Sequence, residues 1–319
     1  MRRRLAPLIA FAIAAAAPAQ AAEKVTVGIV GGFNAFVWPT AIAQAKGFYA
    51  AHGVAPEIIF MPSSPGMLQQ LAAGSLDVAG SAGLVDPVRL VARKAGVAIA
   101  RIELRVSPYV LVGKPQLTSI ADLKGKNVAI GSRNDMTFVL IAHMLAPFKL
   151  TPDDVDMLFS GSTVSRYAAL KTGAYDATLL APPLSFIAQG EGFKNLGIAG
   201  DYNKDLPFTG SIVSRAWASA HPDAARNFFA AADEAADWFH DAAHRAEAIQ
   251  ILIDSSKSNP EDAARSYDFL RGGDYFDRTH EVSRRGIAAL VAALHELGDT
   301  DVNATGEEAV IPGLTALSD

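Results

Sequence analysis

Two stretches far apart in the chain decide the fold: Leu71-Ala-Ala-Gly74-Ser-Leu-Asp77-Val78 and Leu170-Lys-Thr-Gly173-Ala-Tyr-Asp176-Ala177. Leu, Gly and Asp recur at the same offsets. Each stretch follows an apolar run ending near Phe60 or Phe159 and then a Ser/Gly loop. Physically, each reads as strand, loop, helix, glycine stop, tight turn and strand. A helix-to-strand turn of this form also arises generically, but here the flanking strands align as well. The repeat therefore predicts two lobes of similar α/β build.

The pattern extends outward from both copies. Between Lys24 and Asn203, strands are expected at residues 25–30, 57–61, 76–79, 127–130, 155–159 and 176–180. Helices are expected at 40–51, 65–73 and 85–94. This alternation argues for a largely parallel sheet in each lobe. After about Trp217 the pattern is helical. Residues 221–240 place Ala225, Phe228, Phe229, Ala232, Ala236 and Phe239 on one face. Residues 283–297 do the same with Ile287, Leu290, Val291, Leu294 and Leu297, and Gly298 is a natural stop. The polar tail beyond Asp299 is expected to wrap the surface.

The N-terminus reads as an export leader over residues 1–21. Arg2, Arg3 and Arg4 precede an apolar run at 5–17, then Pro18 and Ala19-Gln20-Ala21. That run is shorter than a membrane span of about 20 residues, so cleavage after Ala21 or Ala22 is expected. The chain has no cysteine, which rules out disulfides, a lipid anchor on a processed Cys, thiol nucleophiles and Cys-based zinc sites. Removing the three leader arginines leaves 25 basic against 33 acidic side chains, a net of −8. That is the wrong sign for a nucleic-acid binder.

Ligands of such sheets bind beyond the C-terminal ends of the strands. This selects the loops at 31–38, 62–64, 80–83, 131–137, 160–163 and 181–183, and within them Asn34, Ser63 and Pro183 among others. The 131–137 loop opens a helix, whose free N–H groups suit an anion. Ser132 and Thr137 add hydroxyls. Arg133 either clamps an anionic head group or pairs with Asp135. Phe36 and Trp38 either stack on a planar ligand or pack in the core, and Phe33 reads as core. Ser81 ends a strand and either meets a ligand or simply turns the chain; Thr209 is a weaker candidate of the same kind. Gly28, Gly31 and Gly32 lack the spacing of a dinucleotide loop. His240 and His244 have metal-compatible spacing, but no third ligand adjoins them and the stretch reads as a solvated face. No catalytic residue, metal or cofactor is expected.

Further stretches carry a family resemblance: Ala43-Gln-Ala-Lys-Gly47-Phe48-Tyr49 through Gly53-Val54, Tyr109-Val-Leu-Val-Gly113 and Ile120-Ala-Asp-Leu-Lys-Gly-Lys-Asn-Val128. With the paired L-x-x-G-x-x-D turns, they resemble the periplasmic solute-binding proteins of ABC importers, in the branch handling sulfonates, nitrate, taurine and thiamine-pyrimidine precursors. The resemblance implies a bilobed, type II periplasmic-binding-protein fold of α/β class. Lobe one would hold 22–107 plus 209–319, lobe two 108–208, with chain crossings near 105–113 and 206–214. The C-terminal helices would pack on lobe one. It implies a monomeric, unlipidated periplasmic protein that captures a small organic solute and meets a membrane permease transiently. Arg133 favours a sulfonate or carboxylate; a neutral pyrimidine-like ligand remains open. Two alternatives stand beside transport: a sensing role, and a pyrimidine-forming enzyme on the same fold. The enzyme relatives carry a Cys-rich motif that this chain lacks.

Overall fold

The computed structural model describes residues 22–133 and 135–319; the leader expected at 1–21 and Asn134 of the 131–137 loop lie outside them. Ten strands build two sheets. They are β1 (Glu23–Val30), β2 (Val54–Met61), β3 (Val78–Gly83), β4 (Val97–Leu104), β5 (Val110–Gly113), β6 (Asn127–Ile130), β7 (Asp156–Phe159), β8 (Ala177–Leu180), β9 (Lys194–Ile198) and β10 (Thr209–Ser214). The first sheet runs β2-β1-β3-β10-β4 and the second β7-β6-β8-β5-β9. In each, three strands are parallel: β1 with β2 and β3, and β6 with β7 and β8. The fourth place is taken by a strand that enters from the other lobe and runs antiparallel, β10 in the first and β5 in the second. The chain thus leaves the first sheet between Leu104 and Val110 and returns between Ile198 and Thr209. This is a two-lobed α/β architecture.

The paired turns are chemically equivalent. Gly74 (φ +78°) and Gly173 (φ +80°) end their helices in the left-handed region, where a side chain would be strained. Gly74 N–H donates to Leu71 O and Ser75 N–H to Gln70 O; Gly173 and Ala174 repeat this to Leu170 and Ala169. These are Schellman closures. Three residues on, Asp77 N–H donates to Thr26 O while its carboxylate accepts from Thr26 N–H, at 2.7 Å. Asp176 makes the same pair with Asn127, 2.9 Å from the amide to the carboxylate. The aspartate therefore locks the tight turn to the first parallel strand of its own lobe.

Most of the remainder of the chain packs on the first lobe, but the helix Pro260–Gly272 also meets the second, with Phe269 5.5 Å from Phe186 and Arg265 over that ring at 4.3 Å. The helix Pro222–His240 lies against the helix Trp38–Ala45 and against β1 and β2. It buries Ala225, Phe228, Phe229, Ala236 and Phe239, five of the six positions expected from its periodicity; Ala232 is partly exposed.

Four local readings need correction. The helix expected at 40–51 is two helices, Trp38–Ala45 and Phe48–Ala51, because Gly47 adopts φ +74° between them. The strand expected at 76–79 begins at Val78, since the Schellman closure and Asp77 occupy the preceding residues. The C-terminal part is not helical alone: Glu281–Ser283 pairs in parallel with Ala316–Ser318, which ties down the tail. His240 is buried rather than solvated, with Nδ1 2.8 Å from Arg271 Nη1, so a cation already occupies that ring nitrogen. His244 stacks on Trp238 at 4.2 Å.

Candidate functional site

Between the sheets lies a cavity with about 910 Å³ of atom-free space, including its open mouth. Its wall is made by the segments that follow the parallel strands. Gly31–Asn34 follow β1, Ser63 and Ser64 follow β2, and Ser81 and Gly83 end β3. From the second lobe come Gly131 and Asp135 after β6, Gly161–Thr163 after β7, and Ala181 after β8. Both lobes aim the C-terminal ends of their parallel strands at one space, as open α/β sheets do.

The lobes touch around this space. A Cβ built on Gly83 of the first lobe would lie 2.8 Å from Cβ of Met136 in the second. Gly31 faces Ser162 and Gly161 faces the Pro62 carbonyl in the same way, at 3.2 and 2.9 Å from the built Cβ. Ala35 N–H donates across to Pro182 O at 3.3 Å.

At the floor sits a cluster of three aromatic rings, one from the first loop and one from each chain crossing. Phe36 meets Tyr109 at 4.9 Å and Phe208 at 5.5 Å, and Tyr109 meets Phe208 at 5.3 Å, all edge to face. Ser81 holds φ +51°, a left-handed conformation that costs an L-residue roughly 1–2 kcal/mol. Its hydroxyl donates to Thr209 Oγ1 at 3.3 Å, which joins β3 to the returning strand. Beneath it Glu103 is held above the usual carboxylate range by burial, against hydrogen bonds from Ser211 and Ser81 and the charge of Arg101.

Of the ten residues singled out in the sequence, six line the cavity: Asn34, Phe36, Ser63, Ser81, Thr137 and Thr209. Three of these are partly consumed by local structure; the Thr137 hydroxyl accepts from Gly131 N–H at 2.8 Å and donates to Asp135 Oδ1. Asn34 Oδ1 accepts from Phe36 N–H and its Nδ2 donates to Gly32 O. Ser63 caps the helix Ser64–Ala72. The other four lie off the wall. Trp38 is fully buried in the core, where its indole N–H donates to Ala248 O at 2.8 Å. Pro183 is buried, after a cis Pro182–Pro183 bond. Ser132 has its Oγ buried with no partner among the described residues. Arg133 is exposed and lies over the Phe159 ring, 5.6 Å from its centroid.

The helix start at 136 is also not an open anion cradle. Asp135 caps it with its own carboxylate: Oδ1 accepts from Thr137 N–H, Phe138 N–H and the Thr137 hydroxyl. The positive end of the helix is answered from within the chain. Nor does Asp135 pair with Arg133.

Three charged side chains that the sequence did not single out line the wall: Asp86, Asp135 and Arg166. Arg166 is 1% exposed. Its Nε donates to Leu179 O at 3.1 Å, Nη1 to Gly161 O, and Nη2 to the Tyr109 hydroxyl at 3.3 Å. Asp86 stands in the first turn of the helix Val85–Ala92 and pairs with Arg89 at 2.6 Å. Burial raises its pKa to about 6; Arg89 opposes that shift, and the nearby Asp135 carboxylate reinforces it. Asp135 is itself raised by burial, against the Thr137 hydroxyl and the Arg166 charge. Arg166 reads from sequence as a solvated helix position, and only its packing turns it inward. Asp135 carries a signal that could have found it, an N-cap residue before an apolar helix.

Comparisons with known proteins agree with this architecture. A family model described as NMT1/THI5 like matches residues 34–246. A Brucella abortus protein provisionally described as a binding protein is 28% identical over 247 residues, 75% of this chain and 74% of its own. Among solved structures, the alkanesulfonate-binding protein SsuA of Xanthomonas axonopodis pv. citri, bound to MOPS, matches with TM-score 0.74 and 19% identity, over 95% of this chain and 100% of that one. The desulfurization enzyme DSZB matches with TM-score 0.65 and 15% identity, over 92% and 97% of the two chains.

Proposed function

Because the chain belongs to the NMT1/THI5-like family, we propose that it captures a small organic solute between its lobes and hands it to the membrane permease of an ABC import system. The observation that carries this reading is the cavity, walled by the parallel-strand ends of two lobes between which the described chain crosses twice. Two crossings permit hinge closure, which would squeeze water from the wall groups and seal the solute in. The MOPS-bound alkanesulfonate-binding neighbour makes sulfonates the first solute class to test.

In this reading the leader at residues 1–21 sends the chain to the periplasm. There the mature monomer diffuses without a lipid anchor and meets its permease in passing. The reading is capture without turnover. The fold is shared with an enzyme, so the test must include the fate of the solute.

Thermal melts of the mature chain against sulfonates, carboxylates and pyrimidines test the reading. A true ligand at a hundred times its Kd stabilises by about 2.7 kcal/mol. Its mass after release should be unchanged. If no solute raises the melting temperature, capture is wrong; if the released mass has changed, the protein is an enzyme.

A further inference from the structure

We propose that Glu103, which stands behind the cavity wall, positions Ser81 for the solute by holding it in its left-handed backbone conformation. The proposal rests on the capture reading and adds to that same site a residue that does not itself line it.

Three observations lead there. The first is the backbone of Ser81. It lines the cavity at φ +51° from inside β3. The other described non-glycine residues at positive φ, Lys94, Lys149, Lys257, Asp274 and His280, all lie outside strands. A serine strained within a strand keeps that conformation only where its surroundings impose it.

The second is the register of the strands around it. β10 pairs Gly210 with Ala82 and Ile212 with Ala79, so Ser211 alone faces both Gly80 and Ser81. On its other side β10 pairs Thr209 with Leu104 and Gly210 with Ile102, which leaves Glu103 as an extra residue of β4. Two bulges thus flank the same stretch of β10. A bulge takes its extra residue out of the ladder and re-aims its side chain.

The third is the partner that the displaced groups find. The Ser81 amide donates to the Glu103 carboxyl group, and so does the Ser211 hydroxyl. Glu103 is fixed in turn, because its own carbonyl accepts from Asp277 N–H at 2.8 Å. Its side chain opens onto a small inner pocket that shares Phe36 with the cavity. The carboxyl group therefore satisfies an N–H that the ladder no longer serves, and that bond holds the strained residue. So held, the Ser81 hydroxyl stands 3.3 Å from Thr209 Oγ1, and the two residues present one polar patch to the cavity. Released from Glu103, Ser81 would relax toward an ordinary strand conformation and draw its hydroxyl away from that patch.

Isothermal titration of the full mature chain tests this, with MOPS, benzoate and cytosine as probes of the sulfonate, carboxylate and pyrimidine classes. Glu103→Ala should weaken the probe that binds by about 10- to 100-fold, the worth of a hydrogen-bonded wall group. Glu103→Gln keeps an oxygen for the Ser81 amide and should recover affinity to within about threefold. Ser81→Gly removes the hydroxyl and the strain together, so in that background Glu103→Ala should change affinity by less than about twofold. That last reading separates positioning from a general loss of packing, which would weaken binding equally in both backgrounds. Circular dichroism checks each variant; if Glu103→Ala does not fold, Glu103→Thr, a strand former too short to reach Ser81, takes its place. If the shortened variant binds as the native chain does, or weakens binding as much beside Ser81→Gly as alone, the proposal is overturned while capture stands. If none of the three probes binds the native chain, capture falls and this inference with it.

Discussion

Replacing Gly83 by alanine places a methyl group where the two lobes meet. The new Cβ would stand 2.8 Å from Met136 Cβ, whereas carbon atoms in good contact sit about 3.5–4.0 Å apart. The lobes must then separate locally by about 1 Å, or Met136 must move with the start of its helix. Overpacking of this kind costs about 1–3 kcal/mol, and here the cost falls on the closed form alone, since an open cleft leaves the methyl group room. The closure equilibrium, and with it solute affinity, should fall by about 5- to 150-fold. Gly83 does not use the left-handed region, so alanine adds no backbone strain and removes some freedom from the unfolded chain. Isothermal titration should therefore show weaker binding, while the melting temperature of the solute-free protein stays level or rises slightly. A drop of several degrees in the solute-free protein with affinity unchanged would refute the reasoning. It would mean that Gly83 and Met136 form a permanent contact rather than a closing one.

Three further outcomes follow from the core and the turns. Trp38→Phe removes the indole N–H from a buried carbonyl and leaves a void, so urea unfolding should show a loss of about 2–4 kcal/mol with solute affinity little changed. Asp77→Ala and Asp176→Ala each release a strand amide and should each cost about 1–2 kcal/mol by the same measurement. Desolvation pushes the Asp176 carboxyl up, but Lys114 and the Asn127 amide outweigh it and hold the group below its usual range. The Asp176 contribution is thus present at neutral pH and fades as acid protonates it in the fold. Burial, with Arg271 and Arg278 nearby, holds the His240 pKa down at about 4, against 6.5 for an ordinary histidine. The unfolded chain takes up that proton first as pH falls, so stability should drop between pH 6.5 and 4 by up to about 3 kcal/mol. His240→Gln should flatten that slope in pH-dependent urea melts.

What could be read from the sequence was whatever depends on neighbours along the chain. The paired L-x-x-G-x-x-D turns are local chemistry, a Schellman closure followed by an aspartate clamp, so they identified both lobes. The strand-end loops followed from the same reading, because loop position depends on strand order rather than on side-chain packing. What stayed hidden depends on partners far away. Trp38 sits beside a cleft loop in sequence, yet its partner Ala248 is 210 residues on, and that contact makes it core. Arg166 looks like a surface residue on a short polar helix until the Leu179 and Gly161 carbonyls and Tyr109 draw it inward. Arg133 looked like the anion clamp because it is the cation nearest a helix start, but Asp135 occupies that start first. The strands β5 and β10 fell where plain crossings were expected, since each is completed only by pairing with strands already laid down by another part of the chain.

The central claim is that the lobes close around a solute, and the cysteine-free chain allows that to be measured directly. Phe60 and Phe159 are half exposed at the ends of β2 and β7, one on each lobe and neither lining the cavity. Spin labels on the Phe60→Cys, Phe159→Cys double variant would report the distance between lobes by pulsed electron resonance. The account predicts a broad distribution reaching to long distances without solute, collapsing to one short distance when a solute that raises the melting temperature is added. Identical distributions in the two samples would contradict it.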